Sequence, residues 1–245
     1  YLLSIVKSKI DKIIFDYICM KYKETAEEIR SFGVAHTPIE IARFAVRSAV
    51  SILRRKGIKE INALDAFTGD GVFISALLDC GVKNITAYEI RERMALLTAR
   101  KFDGLAKVFC TDAFKSRDSG FNLFVGNPPY GKCAENKEID RRIKETYCSR
   151  QKNYSALFDA YVRAVRWASD CLEHGAIAYV INNGFLDNLS FDGFRNSLEE
   201  EFDEIYIFNL RGNHRTSGER CKKEGENVFG QECRTGIAIL VLHKE

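Results

Sequence analysis

The sequence predicts an α/β fold with a seven-stranded, mostly parallel, doubly wound sheet and one antiparallel edge strand. From residue 61 onward, apolar runs of strand length alternate with segments of helical periodicity. The runs are nearly continuously apolar, which is typical of parallel strands covered by helices on both faces. No helical pattern separates the last two runs, so we expect an antiparallel pair at one edge. The strands are predicted at residues 61–66, 84–89, 106–110, 121–126, 176–182, 205–210 and 235–243.

Helices are predicted before and between these strands. Pro38 begins a helix at residues 39–56, because proline is tolerated in a first turn and an apolar stripe follows it. Further helices are expected at residues 71–80, 91–102, 154–173 and 191–201. An amphipathic pattern at the beginning of the chain predicts an N-terminal helical segment, residues 1–32, ahead of one large domain, residues 33–245. Two polar segments, 131–153 and 211–234, are expected to be irregular and to lie near the carboxyl edge of the sheet.

The composition excludes several classes of protein. The 245 residues, 46% of them hydrophobic, are sufficient for a large buried core. Eight cysteines form no C-x-x-C pair, so we expect a reduced, cytoplasmic protein without a structural metal. No apolar stretch approaches the roughly 20 residues of a membrane-spanning helix. The formal net charge of +3 is too small to identify a partner by itself.

The most informative motif is Asn127-Pro128-Pro129-Tyr130, which directly follows the predicted strand at residues 121–126. The Asn127 side chain and the Pro128 backbone each offer a carbonyl oxygen, and Tyr130 offers a flat ring. Such a loop can hold a planar group that bears an NH2 by two hydrogen bonds and a stack. An ordinary proline turn after a strand is the alternative interpretation.

A second motif, Asp65-Ala-Phe-Thr-Gly-Asp-Gly71, lies between the first strand and the next helix, where ligand-binding loops of such sheets occur. It lacks the third glycine of a dinucleotide fingerprint and the lysine of a phosphate loop, so a pyrophosphate ligand is disfavoured. Glu89 ends the second strand, where it could accept both hydroxyls of a ribose. Asp112 follows the third strand, where it could accept from an exocyclic amine.

The three acids follow three successive strands and are expected to line one crevice. An adenosine joined to a zwitterionic amino acid, without phosphate, fits acids and glycines better than a nucleotide does. S-adenosylmethionine is such a ligand. The alternative for any one of these acids is that it caps the following helix.

With these motifs the chain resembles the S-adenosylmethionine-dependent amino-methyltransferases, in particular the adenine-N6 DNA methyltransferases that carry Asn-Pro-Pro-Tyr. Within them it is most similar to the methyltransferase part of the type ISP restriction-modification enzymes. The subfamily resemblance depends on residues 153–169, 209–219 and 225–230. One departure is Ala66, where many relatives have a proline after the acid of the first strand.

The resemblance implies a Rossmann-like methyltransferase fold and a site made from the two motifs. It implies that Tyr130 stacks on a base flipped out of the duplex, with Phe229 on the opposite face, although Phe229 could equally be a packing residue. Thr37 and Pro38 are implied to lie near the methionine end of the cofactor, with helix capping as the alternative. The predicted catalytic residues are Asn127, Pro128, Pro129, Tyr130 and Phe229. The predicted cofactor-binding residues are Thr37, Pro38, Asp65, Phe67, Thr68, Gly69, Gly71, Glu89, Ile90, Asp112, Ala113, Phe114 and Asn127.

The implied function is transfer of a methyl group from S-adenosylmethionine to the N6 amine of adenine in DNA, within a restriction-modification or related system. The implied partners are DNA and a separate or fused target-recognition domain, helicase or nuclease, with no membrane and no metal. Leu157 and Phe158 could contact the adenine of the cofactor, although apolar residues in the first turn of a helix are usually core residues. The basic residues of segment 211–234 could contact phosphates, or the segment could be a solvated loop of mixed charge.

Three alternatives remain open from the residues. The same loop serves methylation of a glutamine side chain in a translation release factor. Cytosine N4 and RNA adenine also present an amine on a flat ring. The third alternative is a non-catalytic module that binds cofactor and DNA inside a larger restriction complex.

Overall fold

The computed structural model describes residues 37–131, 133–148, 155–214, 225, 227–230 and 235–245. The predicted N-terminal helical segment, residues 1–32, lies outside these ranges, so this segment and the domain boundary after it remain predictions. Within the predicted irregular segment 211–234, residues 215–224, 226 and 231–234 also lie outside these ranges.

The described residues form six α-helices and seven strands. The helices are α1 (Ile39–Arg55), α2 (Val72–Asp79), α3 (Glu92–Lys101), α4 (Lys137–Thr146), α5 (Ala160–Cys171) and α6 (Asp192–Glu201). The strands are β1 (Asn62–Asp65), β2 (Asn84–Glu89), β3 (Lys107–Cys110), β4 (Leu123–Gly126), β5 (Gly175–Asn182), β6 (Glu204–Arg211) and β7 (Ile237–Lys244). Short 3-10 turns lie at Ala113–Lys115, Ser155–Phe158, Asn183–Phe185 and Leu189–Phe191.

All seven strands form one sheet in the order β3-β2-β1-β4-β5-β7-β6. The first five strands in this order pair in parallel, and β7 pairs antiparallel with both β5 and β6. The predicted fold class is confirmed, and the antiparallel β6–β7 pair lies at one edge as expected. One detail differs, because the reversed strand, β7, lies one place in from the edge and β6 is the edge strand. The connection through α6 brings β6 back parallel to β5, and β7 returns between them.

Two hydrophobic layers cover the two faces of the sheet, which is why the central strands read as continuously apolar. Ala63 and Val125 face the layer that contains α1 and α2. Leu64 and Phe124, their neighbours in the strands, face the layer that contains α4, α5 and α6. All four side chains are buried, so β1 and β4 are fixed from both sides.

Helix α4 lies in a segment that the sequence predicted to be irregular. Asn136 caps it by accepting a hydrogen bond from Ile139 N at 3.1 Å, and Ile139 and Ile143 are buried against the core. The prediction was wrong because only these two apolar residues, four positions apart, mark the buried face of an otherwise charged helix.

Helix α5 begins later than predicted. Asp159 is its N-cap and accepts from Tyr161 N at 3.4 Å, while the residues just before it form the 3-10 turn Ser155–Phe158. The apolar pattern continues through both elements, and so the sequence does not show the boundary. Among the described residues, no helix has both the length and the apolar character needed to cross a membrane.

Candidate active site

The topology brings the two sequence motifs to one edge of the sheet. β1 lies between β2 and β4 and is parallel to both, with Asp65 in register with Ala87 on one side and Val125 on the other. Asp65, Glu89 and Asn127 therefore lie at or just beyond the carboxyl ends of three adjacent strands. Ligands of open α/β sheets bind outside this edge.

Asp65 is completely buried. Its carboxylate accepts from the Thr68 hydroxyl at 2.8 Å and from Phe67 N at 3.4 Å. Burial raises the pKa of Asp65 from 3.8 to about 7, against the opposing effect of these two hydrogen bonds. The site therefore contains a carboxyl group whose charge changes near neutral pH.

The glycines shape the loop after β1. Gly69 and Gly71 have φ values of +52° and +81°, which are unfavourable for residues with a side chain. A Cβ atom on Gly71 would lie 2.2 Å from the ring of Phe102, whereas one on Gly69 would meet nothing within 4 Å. Gly71 therefore allows close packing, and Gly69 borders open space. The Thr98 hydroxyl donates to the Gly69 carbonyl at 2.7 Å and so supports the loop from α3.

Glu89 connects the loop to the end of β2. It is 6% exposed, and its Oε2 accepts from Gly69 N at 2.9 Å. Its Oε1 accepts from both the backbone N and the Nε of Arg91, each at 2.9 Å. These contacts fix the carboxylate without making it a helix cap, because the N-cap of α3 is Arg91. Ile90, beside it, is 54% exposed.

Asp112 follows β3 and lies at the start of the turn Ala113–Lys115. It accepts from Phe114 N at 3.1 Å, so the capping alternative holds for this acid, and its second oxygen lies 3.6 Å from Lys115 Nζ. Ala113 is buried. The Phe114 ring contacts the Phe67 ring edge-on with centroids 5.8 Å apart, which brings two predicted cofactor-binding aromatics together.

The loop after β4 is held by hydrogen bonds from several elements. The Tyr130 hydroxyl donates to Asn127 Oδ1 at 2.7 Å and also lies 3.3 Å from the Val180 carbonyl oxygen in β5. Gly131 N donates to Asp159 Oδ1 at 3.0 Å, and the Gly131 carbonyl accepts from Ala160 N at 2.9 Å. The loop is thereby attached to the N-terminus of α5. Pro128 is buried and Pro129 is half-buried.

Thr37 reaches this loop from the beginning of α1. Its Oγ1 accepts from Asn127 Nδ2 at 3.0 Å. The N-cap of α1 is Pro38, and no side chain caps this helix. Helix capping therefore does not explain Thr37.

The remaining predicted residues lie around the same edge. Phe229 is half-buried and packs, as Tyr130 does, against the core layer of α1 and α2. Phe229 N donates at 2.9 Å to Asn227, whose side chain in turn donates to the Gly212 and Thr235 carbonyls. Leu157 is fully buried in the other layer, as expected of a core residue. The Phe158 ring lies 5.8 Å from the Arg163 guanidinium, measured from the ring centroid.

Comparison of the sequence with known protein families identifies the family of this chain. Residues 30–214 match the model of the Eco57I restriction-modification methylase. The chain belongs to this methylase family. Its sequence is 24% identical over 187 residues to the Type II methyltransferase M.HincII of Haemophilus influenzae, covering 73% of this chain and 34% of that protein.

Solved structures agree with the family assignment. The type ISP restriction-modification enzyme LlaGI, in complex with a DNA substrate mimic, matches with 30% identity and a TM-score of 0.79 over 96% of this chain and 28% of LlaGI. The DrdV–DNA complex matches with 31% identity and a TM-score of 0.77 over 87% of this chain and 27% of DrdV. The resemblance to type ISP enzymes is confirmed. The chain spans about a third or less of the length of these relatives.

The methylase family uses S-adenosylmethionine, so the predicted cofactor is confirmed at the level of the family. The residues present fit this group. Glu89 accepts from Gly69 N beside the open space at that glycine, and Asp65, which bonds the same loop, adds negative charge when it ionises, which suits a cationic amino acid joined to a ribose. Among the described residues there is no group of three or more His, Cys, Asp or Glu side chains that could hold a metal ion.

Sequence reasoning missed four supporting residues. Thr98 and Phe102 of the α3 region support the glycine loop, Arg91 holds Glu89, and Asp159 holds the loop after β4. Only Arg91 lies next to a motif in sequence. The other contacts join positions 28 to 31 residues apart, and no local pattern marks them.

Proposed function

We propose that this chain transfers the methyl group of S-adenosylmethionine to the N6 amine of adenine in DNA, as the modification activity of a restriction-modification system. The observation that carries the proposal is the loop of residues 127–130 at the carboxyl end of β4. It lies beside the acids of β1 and β2 in a chain of the methylase family. The complexes of LlaGI and DrdV with DNA or a DNA mimic support DNA as the substrate.

The chemistry requires the loop to accept hydrogen bonds from a weakly nucleophilic amine. The lone pair of the adenine N6 is delocalised into the ring, so acceptors for both N–H bonds draw the nitrogen towards tetrahedral geometry. Asn127 Oδ1 and the Pro128 carbonyl supply two such acceptors. S-adenosylmethionine, when bound, would supply an electrophilic methyl group and keep on its sulfur the electron pair of the broken S–C bond, while the methylated amine would lose one N–H proton to water.

Orientation and fixed dipoles then account for rate enhancement by this chain. Oδ1 has two lone pairs, so it can accept from the target amine while it accepts from Tyr130. In this proposal Tyr130 and Phe229 hold the two faces of the extruded base. Asp65, Glu89 and Asp112, with the loop from Phe67 to Gly71, hold the cofactor. Thr37, Pro38, Ile90, Ala113 and Phe114 complete its surroundings.

The test is methyl transfer from tritiated S-adenosylmethionine to duplex DNA, to RNA and to a translation release factor, followed by digestion to identify the labelled group. We expect label in N6-methyladenine of DNA. Label in glutamine, N4-methylcytosine or RNA would refute the assigned substrate, and cofactor binding without transfer to any substrate would favour the non-catalytic module.

Asn127→Ala tests the mechanism. We expect it to lower the single-turnover rate by roughly 10²- to 10³-fold, as for loss of a preorganised polar group, with cofactor affinity largely kept. The matched control is Asn84→Ala, because Asn84 is an exposed asparagine at the amino end of β2 whose Nδ2 donates to Glu60 and Asn62. An Asn127 variant with full activity would contradict the mechanism.

A further inference from the structure

The amide of Asn127 is held by hydroxyl groups at both ends. Nδ2 donates to Thr37 Oγ1 at 3.0 Å, and Oδ1 accepts from the Tyr130 hydroxyl at 2.7 Å. Tyr130 is three residues away in the same loop, whereas Thr37 is 90 residues away at the beginning of α1. The orientation of the amide therefore depends on an element outside the loop.

The two distances favour this orientation of the amide over the one rotated by 180°. Hydrogen bonds between two oxygens centre near 2.7–2.8 Å, and those between nitrogen and oxygen near 2.9–3.0 Å. With Oδ1 facing Tyr130 and Nδ2 facing Thr37, both bonds have their usual lengths. In the rotated amide, the bond of the nitrogen would lie at the short end of its usual range and the bond of the oxygen at the long end.

Thr37 is well placed to be a fixed acceptor. It directly precedes Pro38, the N-cap of α1, and the helix makes no use of a side-chain cap. Helix α1 is itself anchored in the core by fully buried residues, among them Ala42, Ala45 and Val46. The position of the Thr37 hydroxyl thus follows from the packing of α1 on the sheet.

We propose that Thr37 is a positioning residue that orients the Asn127 amide so that Oδ1, and not Nδ2, faces the target amine. The inference rests on the proposed function and adds a role for Thr37 besides cofactor contact. By accepting from Nδ2, Thr37 also polarises the amide and makes Oδ1 a better acceptor. An amide rotated by 180° would present an N–H to the N–H of the substrate, and the acceptor would be lost.

The test compares Thr37→Val, which keeps the shape of the side chain but removes the acceptor, with Thr37→Ser, which keeps the hydroxyl. Thr146→Val in α4 is the matched control, since the Thr146 hydroxyl bonds Arg142 O away from the loop. We expect Thr37→Val to lower the single-turnover rate of methyl transfer to DNA roughly 10- to 100-fold, the scale of a misaligned reacting group. Thr37→Ser should keep most of the rate, and Thr146→Val all of it.

Cofactor affinity, measured by calorimetry for each variant, separates positioning from cofactor contact. We expect the dissociation constant of S-adenosylmethionine to change less than about threefold in Thr37→Val, the size of a lost weak hydrogen bond. If the variant binds the cofactor poorly but reacts at the wild-type rate once saturated, Thr37 is a cofactor contact and the inference is wrong.

A second measurement does not depend on activity. The protein is labelled with 15N-asparagine, and the side-chain NMR signals of Asn127 are assigned as those missing from Asn127→Ala. One of the two Nδ2 protons should be hydrogen-bonded and exchange slowly with water. Thr37→Val should abolish this protection and Thr37→Ser should keep it. Unchanged Asn127 signals in Thr37→Val would overturn the inference. Absence of methyl transfer by the wild type would count against the proposed function alone, because the amide signals would still decide the role of Thr37.

Discussion

Asp65 should make the stability of the fold depend on pH, and Asp65→Asn should remove that dependence. The carboxyl group is completely buried, and burial raises its pKa from 3.8 to about 7. In the acidic limit both the folded and the unfolded protein carry the proton. Between pH 3.8 and about 7 the folded protein keeps a proton that the unfolded chain has lost, so the free energy of unfolding falls as pH rises through this window.

The difference between the folded and unfolded pKa values of Asp65 lowers the free energy of unfolding by about 4 kcal/mol from the bottom to the top of this pH window. Measurements of urea unfolding between pH 5 and pH 8 should record most of this loss of stability. We expect the stability of Asp65→Asn relative to the wild type to rise by about 3 kcal/mol between these pH values. Near pH 5 the variant itself should be less stable by about 1 kcal/mol, because the amide fits the donors Phe67 N and Thr68 less well.

Asp103→Asn is the control, because Asp103 is an exposed turn residue. Its stability should follow the wild type at every pH. Parallel curves for Asp65→Asn and the wild type would show that Asp65 stays ionised in the folded protein, and would refute the reasoning from burial.

Two further predictions concern packing, and both are measured by urea unfolding. Gly71→Ala should cost roughly 2–5 kcal/mol, because it combines a left-handed backbone with a clash against Phe102, whereas Gly104→Ala, at φ +72° with open space around it, should cost only about 1–2 kcal/mol. Equal losses would contradict the role of Phe102. Arg163→Met should cost roughly 3–5 kcal/mol, because it leaves Asp140 buried without the partner that contacts it at 2.6 and 3.0 Å. Adding Asp140→Leu should restore most of that loss, and failure to do so would show that the pair is not the cause.

The sequence was sufficient for the sheet and for the residues at its carboxyl edge, since both follow from local patterns. β1, β2 and β4 are apolar runs covered on both faces, and the polar residue that ends each run stands out against them. Knowing that the strands are parallel is then enough to bring Asp65, Glu89 and Asn127 to one edge. The place of β7 inside the sheet could not be read in this way, because it depends on pairing between distant strands.

The contacts that support the site could not be predicted, for a related reason. Gly71 is recognisable as a loop glycine, but its partner Phe102 looks like any apolar residue at the end of a helix. The family resemblance implied a place for Thr37 near the cofactor, yet its bond to Asn127 joins positions 90 residues apart and no local pattern indicates it. Helix α4 was missed because charged side chains surround its two buried isoleucines.

The two halves of the site differ in how they can respond to pH. Asn127, Pro128 and Pro129 cannot ionise, so the acceptors of the proposed reaction keep their character across the physiological range. Asp65 bonds the loop from Phe67 to Gly71, which in our proposal holds the cofactor. Its pKa of about 7 makes the charge at this half of the site sensitive to mild acid. A cationic ligand favours the ionised carboxylate, so its binding should release a proton and weaken below neutral pH. We therefore expect pH to change the fraction of the protein that has cofactor bound, while the orientation of the Asn127 amide stays the same.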